Sequence, residues 1–214
     1  PLATDTHKNS LSASKTFLEW CVSKHWLKSN PAAHVRPVGI KRKGKPGLTI
    51  DESRTLYQIA LREAPHDDGA LIVCMGIAMG LRAGEVVSRV VRDIDDGGRT
   101  LRVCDHLEYG WRTKSDSSKR PVHIPSDLQP LLLARAGAAG KGPMDLLFPS
   151  AVGRLQWSSY CNRQVARMCK AAKVPRVCMH SLRGIAATTA AANVAPEIVA
   201  QMLGHQSAAQ TIGA

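Results

Sequence analysis

The residue types that handle phosphate gather near the C-terminal end of the chain. In the stretch from Met179 to Thr211, MHSLRGIAATTAAANVAPEIVAQMLGHQSAAQT, His180 and Arg183 are three apart, on one face of a helix. His205 follows Gly204 and can return toward them across a turn. Glu197 is the only acid in the stretch, so these donors have no local carboxylate to neutralise them. A guanidinium presents a planar, permanently charged fork, and imidazoles bind and move protons near neutral pH. The natural guest of such a set is an anion.

Two helices must hold that cluster. Residues 180–193 are rich in Ala, Leu and Ile and end at Asn193; Pro196 suits the first turn of the next helix, which stops at Gly204. A further arginine stands far upstream. Residues 67–79, DDGALIVCMGIAM, read as a buried helix, and Gly80-Leu81-Arg82-Ala83-Gly84-Glu85 follows, ahead of Asp93-Ile94-Asp95. An arginine emerging from a buried helix is costly unless it meets an anion or a carboxylate. Glu85 can be that partner in a structural ion pair.

Composition narrows the partner. Twenty-nine Lys and Arg against 17 Asp and Glu give a net charge of +12, which favours a polyanion. No segment holds eighteen consecutive apolar residues, so nucleic acid is preferred over membrane. The six cysteines, Cys21, Cys74, Cys104, Cys161, Cys169 and Cys178, form no C-x-x-C pair and have no ligand-spaced His, so no metal or other cofactor is expected. With no signal peptide in the sequence and thiols in apolar runs, an intracellular, cytoplasmic protein is expected.

Read in order, the chain begins with an amphipathic helix from Leu11 to about Trp26, stopped by Ser29-Asn30-Pro31. Residues 36–47, RPVGIKRKGKPG, are a basic linker whose Lys41, Arg42, Lys43 and Lys45 form either a solvated tether or a track for a DNA backbone. The compact domain opens near Leu48 with Thr49 or Asp51 as helix cap. Residues 100–104, 107–112 and 120–124 are short alternating runs that predict a small antiparallel sheet, and the turn before the last run holds Lys114 and Lys119. Residues 126–137 and 157–172 predict helices. Arg163 and Arg167 on the second of these form a solvated face or a phosphate-facing one. The expected fold class is α+β and mainly α-helical.

HSLR, followed after two helices by LGHQS and Thr211, resembles the C-terminal box of the tyrosine recombinases, or phage integrases. G-L-R-x-x-E before D-I-D resembles that family's first arginine box, and T-K-S…R-P-V-H-I-P its lysine hairpin. The resemblance implies an integrase-type catalytic domain over residues 48–214 with a small antiparallel three-stranded sheet, a basic linker at 36–47, and at 1–35 the last helix of an N-terminal core-binding domain. It implies catalytic roles for Arg82, Lys114, His180, Arg183 and His205, with Lys119 as the alternative lysine, and a supporting role for Glu85. Lys41, Arg42, Lys43, Lys45, Lys119, Arg163 and Arg167 are then candidate contacts to double-stranded DNA. The family's nucleophilic Tyr lies nine residues beyond the second His; counting from His205 reaches Ala214. The expected activity is therefore DNA breakage and rejoining by a domain that lacks its nucleophile, with a non-catalytic DNA-binding regulator as the alternative. Type IB topoisomerases share similar chemistry. A monomer in solution is expected, and a homotetramer on DNA in the full-length protein.

Overall fold

The computed structural model describes residues 4–38, 47–138, 142–192 and 194–204. The chain divides into two compact units, Pro1–Lys45 and Pro46–Ala214. In the first, helix α1 (Thr4–Ser23) ends earlier than the apolar spacing predicts, because the backbone turns left-handed at His25 (φ 60°). Asn30 folds back to donate to the Glu19 carboxylate at 2.7 Å and to the Lys15 carbonyl at 3.3 Å. Phe17, Trp20 and Trp26 form an exposed aromatic cluster on this unit, with Trp20 and Trp26 edge to face at 5.0 Å.

The second unit is built around α3 (Asp68–Met79). Its residues from Gly69 to Met75 are all buried, so it is apolar on every side rather than amphipathic. Asp67 caps it, accepting from the Gly69 and Ala70 amides. Around it pack α2 (Ile50–Glu63), α6 (Ser158–Ala171) and α7 (Met179–Ala191). Thr49 is the cap of α2, in a reciprocal capping box with Glu52. Gly76 allows α3 and α7 to approach closely, since a Cβ there would lie 2.8 Å from the Met179 sulfur. The short helix α4 (Ala83–Val87), α5 (Gln129–Ala136) and α8 (Pro196–Leu203) complete the helices. The α5 helix starts three residues later than expected, after a turn through residues 126–128.

Three antiparallel strands form one sheet in the order β1 (Ile94–Asp95), β2 (Thr100–Val103), β3 (Arg120–His123). Leu101 pairs with Val122 and Val103 with Arg120. The sheet therefore has the expected size, but one of its strands is not the expected one. Residues 107–112 are no strand: Leu107–Tyr109 is a 3₁₀ turn closed by Gly110 at φ +65°, leaving only an isolated bridge between His106 and Trp111. Burial of the His106 side chain ends the alternation there. The strand that completes the sheet is Ile94–Asp95, a segment whose acidic composition reads as a turn.

The α3 helix ends at Gly80, whose left-handed conformation (φ +62°) turns the chain so that Leu81 is buried and the partly exposed Arg82 precedes α4. A Cβ at Gly80 would be strained in this conformation and would lie 2.8 Å from the Leu203 side chain. Gly80→Ala is expected to lower unfolding free energy by about 1–3 kcal/mol, read from urea denaturation at constant slope.

Candidate active site

The turn after α3 delivers Arg82 and Glu85 together. Arg82 precedes α4, and Glu85, in its first turn, accepts the Arg82 amide at 2.9 Å and its Nη1 at 2.7 Å. Glu85 is buried, and three guanidiniums surround it. Arg120, on β3, reaches both carboxylate oxygens at 3.2 and 3.3 Å, and Arg183 Nη1 lies 3.9 Å from Oε2. Three positive charges against one negative leave a net +2 in a small volume, as suits a receptor for a dianionic or polyanionic group.

The same arginines hold the end of α8. Arg120 Nε donates to the Met202 carbonyl at 2.8 Å, Arg183 Nη2 to the Leu203 carbonyl, and Arg82 Nη2 reaches the Gly204 carbonyl at 3.5 Å. These are the carbonyls that a helix C-terminus leaves without intrahelical partners, at the negative end of its dipole. Arg183 Nη1 also donates to the Gly80 carbonyl at 2.6 Å, so one guanidinium ties the ends of α3 and α8.

Protonation reflects this crowding. Burial alone would raise the Glu85 carboxyl, but Arg120 and the hydrogen bonds from Arg120 and Arg82 hold it below the usual carboxylate range. Burial, followed by repulsion from Arg82, pulls the Arg183 guanidinium down to about 10, with Glu85 only partly compensating. Arg82 is the accessible member of the pair, with 30% of its side chain exposed against 4% for Arg183.

The hairpin between β2 and β3 abuts the same cluster. Arg82 Nη1 lies 3.4 Å from Ser118 Oγ, which in turn is 3.1 Å from Ser115 Oγ, next to Lys114. Asp105 pins the loop by accepting the Thr113 amide at 2.7 Å, its hydroxyl at 2.8 Å and the Lys119 ammonium at 3.1 Å. Those bonds, the Thr113 amide first, hold the Asp105 carboxyl at about 2. Lys114 itself is exposed and forms no ion pair among the described residues, whereas Lys119 bridges Asp105 and Asp116.

The other candidates divide plainly. His180 is exposed on the first turn of α7, one turn before the buried Arg183. Arg163 lies 5.8 Å from the Tyr160 ring, while Arg167 is committed to Asp67 and Glu63. Lys41, Arg42, Lys43, Lys45, His205 and Ala214 lie outside the described residues. Arg120, Ser118 and Asp105 were not singled out from sequence. Arg120 sits in an alternating strand, where its inward position follows from the register with Val103 and carries no local signal.

Two of the three tyrosines have their hydroxyls hydrogen-bonded elsewhere. Tyr57 donates to Asp127 at 2.6 Å and Tyr109 to the Met144 carbonyl at 2.8 Å; Tyr160 is partly buried, and burial pushes all three phenols up, away from a reactive phenolate.

Fold and site together define a mainly helical domain with a small antiparallel sheet, folded about a buried carboxylate with an arginine triad around it. The phage integrase family model matches residues 47–213. The tyrosine recombinase XerC of Mycobacterium sp. (strain KMS) is 30% identical, covering 98% of this chain and 71% of the relative. The XerC of Chlamydia muridarum (strain MoPn / Nigg) is 29% identical over 46% of this chain and 32% of its own length. The chain belongs to the phage integrase family of tyrosine recombinases. Solved structures with the same fold include the Tn1549 transposon integrase in complex with a circular intermediate DNA, at TM-score 0.75 and 16% identity over 99% of this chain and 75% of that one. XerA recombinase superposes at TM-score 0.64 with 22% identity, over 94% of this chain and 67% of that one. Among the described residues, no helix is long and apolar enough to cross a membrane.

Removing the carboxylate tests the hub directly. Glu85→Gln leaves three guanidiniums around a neutral group and is expected to cost about 3–5 kcal/mol at neutral pH, the range for breaking a buried ion pair. Because the Glu85 pKa is depressed by folding, its stabilisation is present above the ordinary carboxylate value and is lost as pH falls through the folded one. Denaturation curves from neutral pH down to pH ~3 should therefore show a shallower acid loss in Glu85→Gln than in the parent.

Proposed function

We propose that this chain is the DNA-binding catalytic domain of a site-specific tyrosine recombinase, which breaks and rejoins DNA through a 3′-phosphotyrosine, with Ala214 at the position of the nucleophile. The observation that carries the reading is the buried Glu85 carboxylate with Arg82, Arg120 and Arg183 around it. Metal-independent attack on a phosphodiester builds negative charge on the non-bridging oxygens, and preorganised guanidiniums in a water-poor site stabilise it most effectively. Arg82 and Arg183 fill that role. Glu85 aligns them and does not react; Arg120 holds Glu85 in turn.

His180 and His205 supply hydrogen bonds and proton transfer to the phosphate. Lys114, on its hairpin, protonates the 5′ leaving oxygen, while the Lys119 ammonium is already shared between two carboxylates. A covalent step needs an activatable hydroxyl. Ala214 has none, so binding without strand transfer is the expected behaviour of the chain as it stands. Double-stranded DNA is the partner, with Lys41, Arg42, Lys43, Lys45 and Arg163 against the backbone. Lys119 and Arg167 join them only by sharing their present acids with phosphate. The chain is a monomer in solution and the full-length protein a homotetramer on DNA.

The residue at position 214 favours a second reading, a DNA-binding regulator on the recombinase scaffold. Supercoiled-plasmid relaxation and trapping of covalent DNA adducts separate the two. The parent chain should bind and form no adduct, Ala214→Tyr should form one, and Ala214→Tyr with Arg82→Ala should lose it, circular dichroism verifying the fold of each. An inert Ala214→Tyr that still binds DNA would establish the regulator instead. Contact with six to ten phosphates predicts an affinity loss of about 10³–10⁵-fold between 50 and 200 mM salt. A flat salt response would remove DNA as the partner.

A further inference from the structure

Beyond the arginine cluster, three donor atoms from three side chains converge where β1 meets the end of β2. Cys104 Sγ lies 3.4 Å from Asp93 Oδ1 and 3.7 Å from His106 Nε2, and His106 Nε2 is 2.8 Å from Asp93 Oδ2. One ligand atom from each lies within 4.8 Å of the other two. Asp93 and His106 are buried, and Cys104 is half-buried at the edge. Tetrahedral zinc with bonds of 2.0–2.3 Å sets its ligand atoms roughly 3.3–3.6 Å apart, so the two separations from Sγ, to Oδ1 and to Nε2, are close to that geometry, while Nε2 itself contacts Oδ2.

The imidazole gives an independent indication. Its Nδ1 lies 2.9 Å from Glu108 Oε1, so both ring nitrogens face carboxylate oxygens. Nε2 is thereby the ring nitrogen directed at Asp93 and Cys104. A carboxylate on the far nitrogen is also the arrangement that orients ligating histidines.

Arg89 is the group that opposes a cation here, with Nη1 3.0 Å from Asp93 Oδ2 and 3.8 Å from Cys104 Sγ. It meets Asp93 through Oδ2, where the Val90 amide also donates, which leaves Oδ1 to face the thiol. The charges then balance. Asp93, Glu108 and a Cys104 thiolate carry three negative charges, against one on Arg89 and two on a divalent ion. The remaining donors of Arg89 are engaged by the Glu85, Arg102 and Cys104 carbonyls and the Ser88 hydroxyl.

We propose that Asp93, Cys104 and His106 form a site for a thiophilic divalent cation, of which Zn²⁺ is the type. Thiolate plus imidazole selects this class of ion, and three protein ligands leave the fourth position to water. Binding releases the thiol proton to solvent and forms bonds to Sγ, Nε2 and Oδ1. The ion would cross-link the turn just before β1 to the root of the loop that carries Lys114. The absence of paired cysteines conceals such a site in the sequence, because the third ligand comes from eleven residues before Cys104, across the sheet.

Co²⁺, a spectroscopic stand-in for Zn²⁺, tests the assignment on the reduced full chain. The parent should take up one equivalent with a thiolate-to-metal absorption band that Zn²⁺ then bleaches. Cys104→Ser should lose the band although the other five cysteines remain, and Glu108→Gln should weaken Zn²⁺ affinity about 10–100-fold, circular dichroism showing both folded. A parent without the band, a Cys104→Ser variant that keeps it, or unchanged affinity in Glu108→Gln would each overturn the site and leave a hydrogen-bonded ion network. None of these readouts depends on DNA or on recombination.

Discussion

The Glu85 carboxylate is the interaction on which the rest of the domain depends. It is buried, it receives two arginines by hydrogen bond and a third at 3.9 Å, and each of those arginines reaches a different backbone carbonyl at the end of α8. Without the acid, three guanidiniums would repel one another in a poorly solvated space, and the α8 carbonyls would lose the donors that satisfy them. A single side chain from a five-residue helix thereby fixes the positions of α3, α8 and the β2–β3 hairpin relative to one another.

Glu85 also joins two polar networks. Its carboxylate serves the arginine cluster, and its main-chain carbonyl accepts Arg89 Nε at 2.8 Å. Arg89 is fully buried, lies 5.1 Å from the Trp111 ring, and leads to Asp93 and His106. Buried charge on this scale is tolerated because nearly every polar atom is engaged; Arg135 Nε is the one buried side-chain atom among the described residues with no hydrogen-bond partner. The two networks share Glu85, one through its carboxylate and the other through its main-chain carbonyl.

How much of this could be read from the sequence follows from how local each signal is. The apolar run of α3, its Asp67 cap, Gly80 at its end and Glu85 three residues after Arg82 are all short-range, and the chain states them directly. His180 and Arg183 share a helix as spaced, yet their exposures differ because Arg183 is drawn inward to cap two helices. The role of Arg120 depends on strand register across a sixteen-residue connection, which no local pattern carries. The strand at Ile94–Asp95 is hidden for a similar reason. Two residues with acids around them look like a turn until β2 is present to pair with them. The Asp93–Cys104–His106 cluster likewise exists only once the sheet has formed.

The electrostatics of the cluster give it a direction. Folding pulls the Arg183 guanidinium down to about 10, chiefly by burial and next by Arg82, so its charged form is held at a cost that Glu85 only partly offsets. By the usual conversion that cost is roughly a few kcal/mol at neutral pH. Helix-end carbonyls repay part of it with partial charges. An anion arriving beside Arg82 repays more, because a full negative charge in a low-dielectric recess acts on all three guanidiniums at once. An anion that is already ordered gains most from a receptor organised in this way, because it brings its charge without a further entropic cost.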